Sequence, residues 1–123
     1  MTDHELEPSP EDVAKALADY ISAVRKHYGR RLHSIVLFGS RARGDMRPDS
    51  DADIAVIIED GDWCFWQEKM ELADLAYEAL IERGLVIQPW PLSHSAWMAP
   101  AKHHNPSFVE AIKRDARPLL ELA

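Results

Sequence analysis

Two short apolar runs, Ile35–Phe38 and Ile54–Ile58, bracket a segment of quite different character, and this spacing constrains the fold more than any other feature of the chain. Both runs are apolar at consecutive positions, the pattern of strands covered on both faces. Gly39-Ser40 follows the first run at once, and Asp51 and Asp53 stand at the mouth of the second. Neighbouring strands would therefore bring a small turn and a pair of carboxylates to one end of a sheet. The two aspartates lie two residues apart on an extended segment, so their side chains share a face. Left alone they repel each other. Hard oxygen donors of this kind suit Mg2+, which also takes water and substrate phosphates. A glycine lets a phosphate approach the backbone, and the amide and hydroxyl of Ser40 can donate to it. The segment is laid out to hold a metal-bound phosphate.

The flanking sequence predicts an α/β (α+β) domain. With 123 residues, 46% hydrophobic and 28% charged, the chain is expected to form one soluble globular domain over 1–123, with a flexible polar lead over about 1–8. Ser9 and Asp12 form a capping-box signature around Pro10, and Val13, Leu17, Tyr20, Val24 and Tyr28 mark one helical face ending at Gly29. A strand over about His33–Phe38 leads into a tight turn and short helix over Gly39–Gly44. Arg47-Pro48-Asp49 is turn chemistry, and a central strand follows over about Asp53–Ile58. Trp63–Arg83 reads as a helix closed by Gly84, with Met70, Ala73, Tyr77, Leu80 and Ile81 facing inward. Leu85–Leu92 reads as a third strand whose Pro89 and Pro91 put at least part of it at an edge or out of the ladder. Residues 93–105 carry no decisive pattern. Ser107 is expected to cap a last helix to about Arg114, and Leu119-Leu120 suit either a terminal strand or simple packing. The result is a small mixed sheet with helices mainly on one face.

Charge and composition exclude several functions. A formal net charge of −7 opposes strong direct nucleic-acid binding, and the one markedly basic stretch is Arg41, Arg43 and Arg47 inside the segment itself. A lone Cys64 permits no intramolecular disulfide and fits a cytoplasmic protein, in the role of a small apolar residue. The acidic, polar start is unlike a signal peptide, and no apolar run is long enough to span a bilayer. His94, His103 and His104 lack zinc-ligand spacing and read as exposed or capping residues. Trp63 and Trp66, one helical turn apart, suit either core packing or a partner-binding patch.

Gly39, Ser40, ten intervening residues, then Asp51-x-Asp53 resembles the signature of nucleotidyltransferases of the DNA polymerase beta superfamily. More narrowly, with Arg41, Arg43, Gly44, Asp45 and Ser50 around it, the segment looks like that of the minimal nucleotidyltransferases (MNT type), over about a quarter of the chain. The resemblance implies a nucleotidyltransferase fold, ATP as substrate and Mg2+ as cofactor. It also implies that Asp51 and Asp53 are the catalytic metal ligands and that Gly39 and Ser40 cradle the phosphates. Arg41 and Arg43 would reach phosphate oxygens or else pair with Asp45 and Asp49. The family's activity would be transfer of AMP to a hydroxyl of a partner protein, a HEPN-domain toxin for which the chain is the antitoxin; homo- or hetero-oligomers are both compatible.

One departure stands out. Active members carry a third carboxylate on the strand after the long helix, whereas residues 85–92 here contain no acid, and Gln88 stands at the equivalent place. Glutamine can ligate weakly or hydrogen-bond but takes no proton near neutral pH. Two readings follow, an adenylyl-transferring enzyme and a catalytically impaired nucleotide- or partner-binding module. A small-molecule transferase of the aminoglycoside-modifying kind would need a further domain or a dimer.

Overall fold

The computed structural model describes residues 7–47 and 49–121; residues 1–6 of the expected lead, and Pro48 of the expected turn, lie outside them. Helix α1 (Pro10–Tyr28) begins with the capping box the sequence predicts. Ser9 Oγ accepts from the Asp12 amide at 3.0 Å, while Asp12 Oδ2 accepts from the Ser9 amide at 3.3 Å. Arg83, at the far end of the long helix α3 (Phe65–Arg83), approaches Asp12 at 3.6 Å and ties the two helices together. Ser9→Ala removes the side-chain half of this cap, leaving the Ser9 amide bond to Asp12, and is expected to cost about 1 kcal/mol, measurable as a lowered urea midpoint at unchanged slope.

The strands are β1 (Leu32–Phe38), β2 (Ala52–Ile58), β3 (Ile87–Ser93) and β4 (Arg117–Glu121), in the sheet order β3-β2-β1-β4. β1 runs antiparallel to β2 and β4, and β2 runs parallel to β3, so the sheet is mixed. β2 is interior, as its continuous apolar run requires, and Ile54, Val56, Ile57 and Ile58 are fully buried. Pro89 and Pro91 lie on edge strand β3, where a missing N–H removes nothing from the ladder. Leu119 and Leu120 do form a terminal strand, β4, which covers the other side of β1.

One sheet face packs against the long helices α1 and α3 through Tyr20, Val24, Ile35, Ile54, Val56 and Leu72. The other is partly covered by α5 (Pro106–Asp115), where Val109 and Ile112 meet Val36, Ala55 and Leu92. The stretch without decisive pattern holds α4 (His94–Met98), capped by Ser93 Oγ on the Ala96 amide, and a 3-10 turn at Pro100–Lys102. No helix among the described residues is long and apolar enough to cross a membrane.

Four expectations are corrected. α3 buries Glu68, Leu72, Ala76 and Ala79, and turns Met70, Ala73, Tyr77, Leu80 and Ile81 to solvent. The small Ala76 and Ala79 let the helix sit close against its neighbours, Tyr20 Oη donates to the Leu72 carbonyl at 3.0 Å, and Arg31 meets the buried Glu68 at 3.4 Å. α5 is capped by Asn105, whose Oδ1 accepts from the Phe108 amide at 3.3 Å, because Pro106 already occupies the first helical position and leaves Ser107 inside the turn. Trp63 and Trp66 do not form a patch. Trp63 precedes the helix, donates to the Glu59 carbonyl at 3.0 Å and packs against the core, while Trp66 alone is exposed. Cys64 is likewise exposed, at the position before α3, and fills no apolar site.

Candidate functional site

Phe38, the last residue of β1, lies opposite Asp53 in the antiparallel register, so the turn after β1 and the start of β2 share one corner of the sheet. At that turn Gly39 adopts φ 74°, ψ −156°, a region open to glycine almost alone. A Cβ there would collide with Asp53 Oδ2 and lie 3.3 Å from Asp53 Cγ. The glycine is thus demanded twice, by the backbone and by the neighbouring carboxylate. A single helical turn, α2 (Ser40–Arg43), follows, closed by hydrogen bonds from the Arg43 amide to the Gly39 carbonyl at 3.0 Å and from the Gly44 amide to the Ser40 carbonyl at 2.9 Å.

Asp51 lies exposed just ahead of β2, and Asp53 is half-buried within it. Burial first, and then the charge of Asp51, hold the Asp53 carboxyl above the usual aspartate range, against the pull of Arg43 and Lys69. The two carboxylates therefore sense each other. Gln88 stands beside Asp53 in the parallel register of β2 and β3, and its Nε2 donates to Asp51 Oδ2 at 3.3 Å. Among the described residues no group of three or more acidic, histidine or cysteine side chains converges as a metal cage.

Arg41 and Arg43 are already engaged. Arg41 Nε donates to the Ser50 carbonyl at 2.9 Å, binding the loop that carries Asp51 back onto α2. Arg43 meets Asp115 at 2.9 Å and Asp45 at 3.2 Å, hydrogen bonds that push its pKa further up. Lys69 was not singled out by the sequence. Its ammonium sits 3.9 Å from the centre of the Trp90 ring, donates to the Pro89 carbonyl and contributes positive charge at Asp53. No local pattern marks it, since the contact joins α3 to the middle of β3. The histidines stay apart from this corner: His94 stacks on His33 at 3.8 Å, and His103 accepts from the Asn105 amide at 2.9 Å while stacking on His104.

These donors fit Mg2+ in a limited way. Two mutually repelling carboxylates beside a turn that a Cβ would block offer an oxygen site open to water and phosphate ligands, which Mg2+ prefers to an all-protein cage.

The family model for the nucleotidyltransferase domain matches residues 17–115, most of the chain and all of this corner. The chain belongs to the nucleotidyltransferase domain family. This nucleotidyltransferase domain is 37% identical over 73 residues to the Methanocaldococcus jannaschii protein named "Putative protein adenylyltransferase MJ0604"; the match spans 59% of this chain and 66% of that relative, just under two thirds of its length. Its fold is shared with a toxin–antitoxin complex crystallised with AMP-PNP (TM-score 0.58, 21% identity, 84% of this chain and 72% of that chain). It is shared equally with a mutant of the MntA-HpeT toxin–antitoxin pair (TM-score 0.57, 20% identity, 83% and 71%). The mixed sheet with its flanking helices is the nucleotidyltransferase fold expected from the sequence.

Proposed function

We propose that this nucleotidyltransferase domain binds ATP with Mg2+ and transfers AMP to a hydroxyl group of a partner protein, as the antitoxin of a HEPN-type toxin. The observation that carries the reading is the corner itself. Gly39 leaves open the space beside the Asp53 carboxylate, and Asp51 shares that carboxylate's field. Asp51 and Asp53 would hold the metal, which when bound neutralises triphosphate charge and draws electron density from the phosphorus. Ser40, at the start of α2, offers its amide and hydroxyl to phosphate oxygens. The acceptor oxygen then bonds to the α-phosphorus as the bond to pyrophosphate breaks, and the acceptor's proton passes to solvent water. Arg41 acts by holding the Asp51 loop in place. Arg43, engaged by Asp45 and Asp115, would have to leave one of them to reach a phosphate.

Incubation with α-labelled ATP, Mg2+ and the product of the neighbouring gene tests this. Label is expected on the partner protein with the intact chain and not with Asp51→Ala/Asp53→Ala. A tight complex of the two proteins without any transfer would contradict the reading.

Gln88 favours a second reading, in which turnover is slow or absent and the domain acts by nucleotide or partner binding. The side chain lies beside the aspartates, where the family resemblance implies an acid in active members, and it donates a hydrogen bond to Asp51 instead of accepting a proton. If the missing acid limits the reaction, Gln88→Glu is expected to raise the transfer rate roughly tenfold, read from a single-turnover time course. An unchanged rate beside unchanged nucleotide affinity would exclude Gln88 as the limiting residue.

A further inference from the structure

Helix α3 turns an apolar stripe to solvent. Trp66, Met70, Ala73, Tyr77 and Leu80 recur at alternating spacings of four and three, and all five are exposed, with Ile81 alongside. Trp66, Met70, Tyr77 and Ile81 are each more than 60% exposed, far beyond a lone surface hydrophobe. The alternation of four and three is that of a coiled-coil seam, and over residues 66–80 it runs for about 20 Å. A matching helix is the shape such a seam accepts.

The charges around the stripe restrict what that helix can be. Asp74, Glu78 and Glu82 line one edge and make no ion pair among the described residues, whereas Glu71 is paired with His27. The two bases of α3 are engaged elsewhere, Lys69 over Trp90 and on the Pro89 carbonyl, and Arg83 against Asp12. Two copies packed antiparallel on this face would bring acidic edge against acidic edge. Packed parallel, that edge would meet Lys69 and Arg83, which already have partners. An anionic bilayer is disfavoured by the same edge and by the net charge of −7.

We propose that the exposed face of α3 is a docking surface for an α-helix of another protein, with an apolar stripe at three- and four-residue spacing flanked by lysine or arginine. None of its residues contributes a donor to the Asp51–Asp53 corner, so surface and site can be tested separately.

The probe is a labelled 21-residue synthetic peptide with leucine at the a and d positions and lysine at e and g. A control carries glutamate at e and g, and the uniform charge keeps each peptide from pairing with itself. By fluorescence anisotropy with the full chain at low salt, the lysine peptide is expected to bind at least about tenfold more tightly than the glutamate peptide. Met70→Glu/Tyr77→Glu is expected to abolish binding, and Asp74→Lys/Glu78→Lys/Glu82→Lys to invert the preference. Asp51→Asn/Asp53→Asn should bind the peptide like the unaltered chain, and the unaltered chain is expected to sediment as a monomer. Equal affinity for both peptides, binding of neither, or a dimer that Met70→Glu/Tyr77→Glu dissociates would overturn the proposal; the last result would assign the face to a second copy.

Discussion

Replacing Asp51 and Asp53 together by asparagine is expected to lower AMP transfer by roughly a hundredfold or more and to remove Mg2+-dependent ATP binding, with the far-ultraviolet circular dichroism unchanged. Asparagine keeps the shape of the side chain and one acceptor oxygen, and removes the charge that would hold the metal. The metal-free protein should meanwhile become more stable. Burial and the neighbouring charge of Asp51 raise the Asp53 pKa, so its ionisation opposes folding. That penalty is present at neutral pH and disappears as pH falls through the raised value, where the folded state holds its proton more tightly than the unfolded chain. Asp53→Asn removes the penalty at every pH. Thermal unfolding in EDTA should therefore show a higher Tm for the variant at pH 7, and a smaller difference at pH 4. A lower Tm at pH 7 would mean that the carboxylate is satisfied without a cation.

Gly39→Ala is expected to damage fold and site together. The backbone at φ 74°, ψ −156° costs an alanine about 1–3 kcal/mol, and the added methyl must displace the Asp53 carboxylate. Nucleotide affinity should fall by at least about tenfold, alongside a Tm lowered by several degrees. Both are readable from one thermal-shift titration with and without ATP and Mg2+. Gly44→Ala provides the comparison. It also has a positive φ, but a Cβ there meets nothing within 4 Å, so it should lower the Tm while leaving affinity nearly unchanged. Equal loss of affinity in both variants would show that loop strain, not the Asp53 carboxylate, governs the site.

The corner was legible because its signals are local. A buried strand announces itself by continuous apolar residues, and Gly39-Ser40 and Asp51-x-Asp53 each lie at a strand end, so antiparallel pairing of β1 and β2 was enough to join them. The edge position of β3 followed from Pro89 and Pro91 for a similarly local reason. The inward face of α3 was misread because the helix carries two apolar stripes. Periodicity finds a stripe but does not say which one meets the sheet. The larger residues lay outward, and the close-packed side went to Leu72 and two alanines. Lys69 above Trp90, Arg43 on Asp115 and Gln88 on Asp51 each join residues 20 or more positions apart. Only tertiary pairing creates such contacts. The stripe whose burial was wrongly expected is the one that now marks a docking surface.

The central claim is that Gly39, Ser40, Asp51 and Asp53 form one metal–nucleotide site. Paramagnetic broadening by Mn2+ added with ATP to the isotopically labelled protein tests it most directly. Amide signals of Gly39, Ser40, Asp51, Ala52, Asp53 and Gln88 are predicted to vanish first, and to remain in the Asp51→Asn/Asp53→Asn protein. Broadening centred instead on the acidic turn of Glu59, Asp60 and Asp62 at the far end of β2, or equal broadening in the variant, would contradict it.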